Sequence, residues 1–306
     1  MRVGVVDLGT NSTRLLVADV DGTRVEEVAR RDEVTRLGEG VDERRKLLPL
    51  PVARVRNVLS DYRRELERLG AERVLAVGTS AVRDAENGEA FLGEIEWSYG
   101  FATRLLSGDE EAALTRRGVA NGRGLDDATL VLDIGGGSTE LSTGHSRTSV
   151  DVGSVRLTER HLRSDPPTPA ELETAGREVR EALPELGTRD AVGVGSTVTT
   201  LLALDLGGYD RERVHGGRLA RTVVGEQLER LASLPVAERR ELPGLEPERA
   251  PVIVGGALVV REVLDRYDLD GLEASERDLL HGAALEAAAL PEPEEGAAPP
   301  GAYTCC

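Results

Sequence analysis

Residues 133–140 read Asp-Ile-Gly-Gly-Gly-Ser-Thr-Glu, and this octapeptide has the parts of a phosphate site. Gly135, Gly136 and Gly137 let the backbone approach a ligand closely and take up conformations closed to other residues. Their N–H groups, with those of Ser138 and Thr139, can form a nest for an anion. Asp133 and Glu140 bracket the turn with carboxylates, the hard oxygen ligands that suit Mg2+. A Gly-rich hairpin with no ligand has no need to gather Asp, Ser, Thr and Glu so closely.

The same pattern occurs near the start. Residues 3–14, VGVVDLGTNSTR, repeat residues 129–140, TLVLDIGGGSTE, at an offset of 126. The offset superposes Asp7 on Asp133, Gly9 on Gly135, Ser12 on Ser138 and Thr13 on Thr139. Asp7 is placed to share the metal, and Gly9, Thr10, Asn11 and Ser12 offer backbone and small polar donors to phosphate. Arg14 puts a positive charge where the other copy has Glu140. Taken alone this is a common polar turn; the match to 133–140 is what marks it.

Other segments join these two. In GTSAVRDAEN, 78–87, Thr79 and Ser80 fall at a helix start, where free N–H groups favour anions and where Ser or Thr equally serve as caps. Arg83 lies one turn further on and can grip a phosphate with two N–H groups. SGDEEAAL, 107–114, sets three acids at a helix N-terminus, which the helix dipole alone can explain. A catalytic reading needs Glu110 or Glu111 as a general base toward water, and spacing does not choose between them. GVGSTVTT, 193–200, puts Gly195, Ser196 and Thr197 at a strand-to-helix junction of the phosphate-binding kind. VIVGGALVV, 252–260, is a Gly-Gly turn in an apolar pattern, explained equally by close helix packing or by a ligand. There is no GxxxxGK[ST] loop, and His145, His161, His215 and His281 lack metal-ligand spacing.

These segments need elements to hold them. In each copy of the repeat an apolar run ends in Asp, turns on small residues, and continues with strand-like alternation, which is a hairpin. LLVADV and TRVEEVARRDEVTRL extend the first hairpin into an antiparallel sheet. Strands are expected at 73–78, 101–106, 129–134, 138–144, 147–152 and 191–195. Helices are expected at 52–69, 88–97, 108–120, 196–206, 247–266 and 276–290, with a further helical region after 152. Two similar α/β domains follow, at 1–121 and 122–290, with a disordered tail rich in Pro, Glu, Gly and Ala at 291–306.

Composition narrows the partners. The 306 residues carry a formal charge of −17, and all but Lys46 of the 38 basic residues are arginines. So acidic a chain repels nucleic acid, and an anionic substrate requires a local pocket of arginines and N–H groups. Cys305 and Cys306 are the only cysteines, which excludes a disulfide framework and a cysteine zinc site. No apolar run spans a bilayer and the start lacks a signal peptide's pattern, so the expected location is cytoplasmic, with no membrane partner.

VVDLGTNSTRLLVADV, LAVGTSAVRDAENGEAFL, LLSGDEEAAL, LVLDIGGGSTEL and VGVGSTVTTLLA, in this order and spacing, resemble the exopolyphosphatase/guanosine pentaphosphate phosphohydrolase family from Val3 to about Leu290. The resemblance implies two actin-like (ribonuclease H-like) domains of the sugar kinase, Hsp70 and actin superfold, with the active site in the cleft between them. It implies Mg2+-dependent, or Mn2+-dependent, release of the terminal phosphate of polyphosphate or guanosine pentaphosphate (pppGpp), and a homodimer. The family's catalytic glutamate falls on Glu111, its metal-associated acids on Asp133 and Glu140, and the aspartate of its first turn on Asp7. Phosphate is then held by 9–14 and 135–139, with Arg83 and the loop 195–197. The chain ends before the extra helical domain of longer members, and so resembles the two-domain ones. Two alternatives are an ATP-dependent kinase or ATPase of the same superfold and a non-catalytic alarmone sensor.

Overall fold

The computed structural model describes residues 1–121 and 123–291; the expected tail, with Cys305 and Cys306, lies outside the described residues apart from Pro291. The chain divides into two units, Met1–Arg123 with Leu279–Cys306, and Gly124–Asp278.

The first unit is built on a five-stranded sheet. Its strands are β1 (Arg2–Leu8), β2 (Ser12–Asp21), β3 (Arg24–Val34), β4 (Arg73–Gly78) and β5 (Ala102–Leu105), in the order β3-β2-β1-β4-β5. β2 runs antiparallel to β1 and β3, whereas β4 runs parallel to β1 and β5. β1 is buried on both faces, which is why it reads as a continuous apolar run. Period two sorts its side chains: Val6 and Leu8 pack on one face with the helices Pro49–Leu69 and Gly88–Tyr99, and Val3 and Val5 on the other with Leu114 and the C-terminal helix.

The second unit repeats this order. β6 (Thr129–Ile134), β7 (Thr139–Ser142), β8 (Arg147–Val150), β9 (Asp190–Val194) and β11 (Gly271–Ala274) lie as β8-β7-β6-β9-β11, with β10 (Arg218–Ala220) antiparallel on the outer edge. The internal repeat therefore holds at the level of topology, and both units have the ribonuclease H-like arrangement. β10 and β11 were not expected from sequence, since RLA and GLEA are too short and too poor in β-branched residues to signal strands.

Two expectations need correction. The last helix, Leu279–Ala289, belongs to the first unit, not to a domain ending at residue 290. Leu279, Leu280, Ala283, Ala284 and Leu285 cover the sheet face carrying Val3, Val5, Leu16 and Val77, which would otherwise meet water. The helix expected at 247–266 begins only at Ile253, after a 3-10 turn at Pro247–Arg249; Pro251, with no N–H, lies where a continuous helix would need one. Gly255 and Gly256 lie inside this helix, not in a turn. A Cβ on Gly255 would come 2.7 Å from Ser154 O, and one on Gly256 2.6 Å from the Thr197 Cγ2 methyl, so close packing accounts for both glycines.

The helix Gly108–Ala120 is fixed at its start and at its middle. Ser107 and Glu110 close a reciprocal capping box at its start. Arg104 pairs with Glu110 and with Glu286 of the C-terminal helix. Further along, Gly282 lies so near that an added Cβ would be 2.0 Å from Leu114 O. Gly282→Ala therefore forces the two helices apart and is expected to cost about 1–3 kcal/mol, read as a lower unfolding midpoint. The backbone N–H of Ser107, with Arg104 and the Ser107 hydroxyl, holds the Glu110 carboxyl down from 4.5 to about 2. Its stabilisation is complete above pH 4.5 and is lost as pH falls through about 2. Glu110→Gln is expected to lower the unfolding midpoint at pH 7 by an amount that shrinks toward pH 2, measured by thermal unfolding across pH.

Candidate active site

Each unit has its sequence-predicted turn where an antiparallel hairpin must reverse. In the first, Gly9 N donates to Ser12 O at 3.1 Å; in the second, Gly135 N donates to Ser138 O at 3.0 Å. The carbonyls of both turns are bound by backbone from further along the chain. Thr10 O accepts from Gly38 N, and Asn11 O from Thr35 N and Arg36 N. Gly135 O accepts from Ser154 N, and Gly136 O from Val155 N and Arg156 N, at the start of the helix Ser154–His161.

This fixes the opposite edge of each turn. The only cis peptide among the described residues is Asp165–Pro166, so these peptides are trans. In a trans peptide the C=O of one residue and the N–H of the next point in opposite directions. With the carbonyls of Thr10 and Asn11 held on one side, the N–H groups of Asn11 and Ser12 point to the other, and so do those of Gly136 and Gly137. Gly38 and Gly153 allow the close approach: a Cβ on Gly38 would be 2.3 Å from the Thr10 methyl, and one on Gly153 2.5 Å from Gly136 O. Neither glycine was singled out from sequence, because each lies beyond its motif and only the folded chain shows what it touches.

The first unit also brings together residues from separate segments. Arg83, on the short helix Ser80–Asp84, donates to Leu106 O at 2.8 Å and lies 3.2 Å from Glu111 Oε2. Glu111 is buried, 7 % exposed. Glu110 is committed to its capping box and Arg104, whereas Glu111 meets Arg83. Thr79 does not cap the helix through its side chain; its hydroxyl lies 3.5 Å from Leu8 O. Thr79 and Ser80 are both buried beside the ends of β4 and β1.

Register assigns the acids. Asp7 pairs across the ladder with Arg14, and Asp133 with Glu140, so each pair shares one face of its sheet. Arg14 donates to Asp7 Oδ2 through Nε and Nη2, at 2.9 and 2.7 Å, so the predicted phosphate ligand and the predicted metal ligand form an ion pair. In the second unit two buried carboxylates occupy the equivalent places, with Ser149 Oγ donating to Glu140 Oε1 at 2.7 Å. Two oxygen-only side chains held side by side fit a hard divalent cation, which Mg2+ satisfies with one or two carboxylates plus water or phosphate oxygens. Among the described residues no group of three or more Asp, Glu, His or Cys gathers as a metal cluster.

Gly195 follows β9 with φ 79°, and a Cβ there would lie 2.8 Å from Asp133 Oδ1. The loop 195–197 thus packs directly on the carboxylate, and Thr197 Oγ1 donates to Ile134 O at 3.3 Å. Arg249, buried in the 3-10 turn, donates to Ser196 Oγ and to Glu246 Oε2. Sequence missed Arg249, because its distance of 53 residues from Ser196 is closed only by the fold. Of the histidines, His161 meets Glu178, His215 Nδ1 accepts from Glu276 N, and His281 lies 3.9 Å from Glu27.

Known proteins share this architecture. Residues 16–289 match the model of the Ppx/GppA phosphatase family. Exopolyphosphatase 2 of Mycobacterium tuberculosis is 41 % identical over 94 % of this chain and 98 % of its own length. Guanosine-5'-triphosphate,3'-diphosphate pyrophosphatase of Vibrio atlanticus is 30 % identical over 92 % of this chain but only 58 % of its own length. The crystal structure of an exopolyphosphatase-like protein superposes with a TM-score of 0.86 at 35 % identity, covering 94 % of this chain and 98 % of that one. The family match runs from inside β2 to the last residue of the C-terminal helix, taking in both units, and the chain therefore belongs to the Ppx/GppA phosphatase family.

Proposed function

We propose that the chain hydrolyses the terminal phosphoanhydride bond of inorganic polyphosphate, with guanosine pentaphosphate as a second substrate, using Mg2+ or, in its place, Mn2+. One observation carries this reading: in both turns the carbonyls are bound, so that the N–H groups of Asn11 and Ser12, and of Gly136 and Gly137, are aimed as donors. Fixed N–H dipoles stabilise charge developing on phosphoryl oxygens without reorganising during the reaction.

Phosphoryl transfer proceeds through a loose transition state, so the protein's task is positioning and charge compensation more than covalent chemistry. In the first unit the N–H groups at 9–12 offer donors to phosphate oxygens, and in the second those at 135–139 do so with the loop Gly195, Ser196 and Thr197. Arg83, tied to Leu106 O, fixes the orientation of Glu111, and the Glu111 carboxylate aligns and deprotonates the attacking water. Asp133 and Glu140 hold the cation, and in the first turn Arg14 neutralises Asp7. When bound, the cation compensates charge on the phosphoryl oxygens.

An alarmone sensor would not need Glu111 buried beside Arg83. Close packing accounts for Gly255 and Gly256 without a bound ligand. Among the described residues no helix is long and apolar enough to cross a membrane. With a formal charge of −17, a cytoplasmic homodimer acting on dissolved polyanions completes the reading, and sedimentation tests the dimer.

Phosphate release from short polyphosphate, long polyphosphate and guanosine pentaphosphate, assayed in parallel with Mg2+, names the substrate by rate. No release from any of them would sink the hydrolase reading. Glu111→Gln is expected to lower kcat about 10²–10⁴-fold, the range for loss of a general base, with KM little changed. Chelation by EDTA is expected to abolish release and added Mg2+ to restore it. Asp133→Asn is expected to raise the Mg2+ concentration needed for half-maximal rate; an unchanged Mg2+ dependence would remove Asp133 from the metal site.

A further inference from the structure

The first turn is held by a strap, and the strap is itself held. Residues 35–39 supply the N–H groups of Thr35, Arg36 and Gly38 that bind Asn11 O and Thr10 O. Arg36 sits in the left-handed region at φ 51°, a conformation that a residue with a side chain keeps only when its surroundings enforce it. On the strap's other edge, Arg54 Nε donates to Thr35 O at 2.6 Å and Arg54 Nη2 to Arg36 O at 3.3 Å. Arg54 Nη2 also donates to Glu39 Oε2 at 2.7 Å, which orients the guanidinium. The same helix, Pro49–Leu69, reaches the hairpin a second time, where the buried Tyr62 hydroxyl donates to Thr13 O at 2.8 Å.

We infer that Arg54 is a positioning residue for phosphate binding, acting through the strap. Its guanidinium holds the carbonyls of Thr35 and Arg36. Their N–H groups hold Asn11 O, and Asn11 O fixes the direction of the Ser12 N–H by peptide planarity. Two N–H donors on one rigid fork fix both carbonyls together, which a single ammonium cannot do. Arg54 lies one relay away from the turn and need not touch substrate. The inference rests on the reading that the 9–12 turn binds phosphate.

The test uses the full chain with inorganic tripolyphosphate and two variants, Arg54→Ala and Arg54→Lys. Arg54→Ala is expected to raise KM about tenfold with kcat within about twofold, since a charge-assisted hydrogen bond that orders a binding group is lost. Arg54→Lys should recover part of the loss. Amide hydrogen exchange supplies a second readout: Thr35, Arg36 and Gly38 should exchange faster in Arg54→Ala while Leu75–Val77 in β4 keep their protection. Unchanged exchange in the strap overturns the inference, and so does an unchanged KM in an active protein. Faster exchange spread equally into β4 also overturns it, because Arg54 would then support the unit as a whole. If the wild-type protein releases no phosphate, the hydrolase reading fails, while exchange in the strap still decides the relay.

Discussion

A peptide plane has two polar ends that cannot be aimed independently, and both Gly-containing turns are built on that constraint. Where Thr35, Arg36 and Gly38 bind the carbonyls of Asn11 and Thr10, and where the helix Ser154–His161 binds those of Gly135 and Gly136, the opposite N–H groups acquire a fixed direction. The rest of each unit serves this arrangement. β1 and β6 are buried central strands that bring Asp7 and Asp133 to the ends of their sheets. Gly38 and Gly153 let the holding backbone approach within reach.

The two units share this frame and differ in the charge it carries. Across the ladder from its aspartate the first has Arg14 and the second has Glu140. An Asp–Arg pair neutralises itself, and an Asp–Glu pair on one sheet face suits a cation. The cross-strand partner of the aspartate thus sets the charge that each turn carries. The same economy appears around Glu110 and Glu111. These adjacent acids point to different duties because consecutive helical positions lie about 100° apart: Glu110 closes the cap with Ser107 and Arg104, and Glu111 meets Arg83.

The chain's overall acidity does not conflict with an anionic ligand. Charge acts over about a Debye length, roughly 8 Å at physiological ionic strength, so local placement outweighs the net sum. Many of the arginines are engaged with carboxylates or carbonyls: Arg14 on Asp7, Arg54 on Thr35, Arg104 on two glutamates and Arg249 on Glu246. Their guanidinium forks order backbone and side chains in a protein with only one lysine, Lys46.

Sequence alone determined the hairpin repeat, the strands from β1 to β9, and the candidate residues of both turns, because these depend on local spacing and on apolar runs that bury a strand on both faces. It also named Arg83, and through the family resemblance Glu111, although spacing could not pair them or separate Glu111 from Glu110. Only the tertiary structure decided the rest. The helix Leu279–Ala289 joined the first unit because a sheet face needed covering, which no local pattern records. The three-residue β10 and the four-residue β11 exist because neighbouring strands offer them hydrogen bonds. Gly255 and Gly256 have to be glycine because Ser154 and Thr197 pack against the helix there. Arg54, Gly38, Gly153 and Arg249 were invisible because Thr35, Thr10, Gly136 and Ser196, against which they act, are distant in sequence. Residue type and local spacing specify what chemistry a segment can offer; direction and partnership are set by contacts distant in sequence, and those form only in the folded chain.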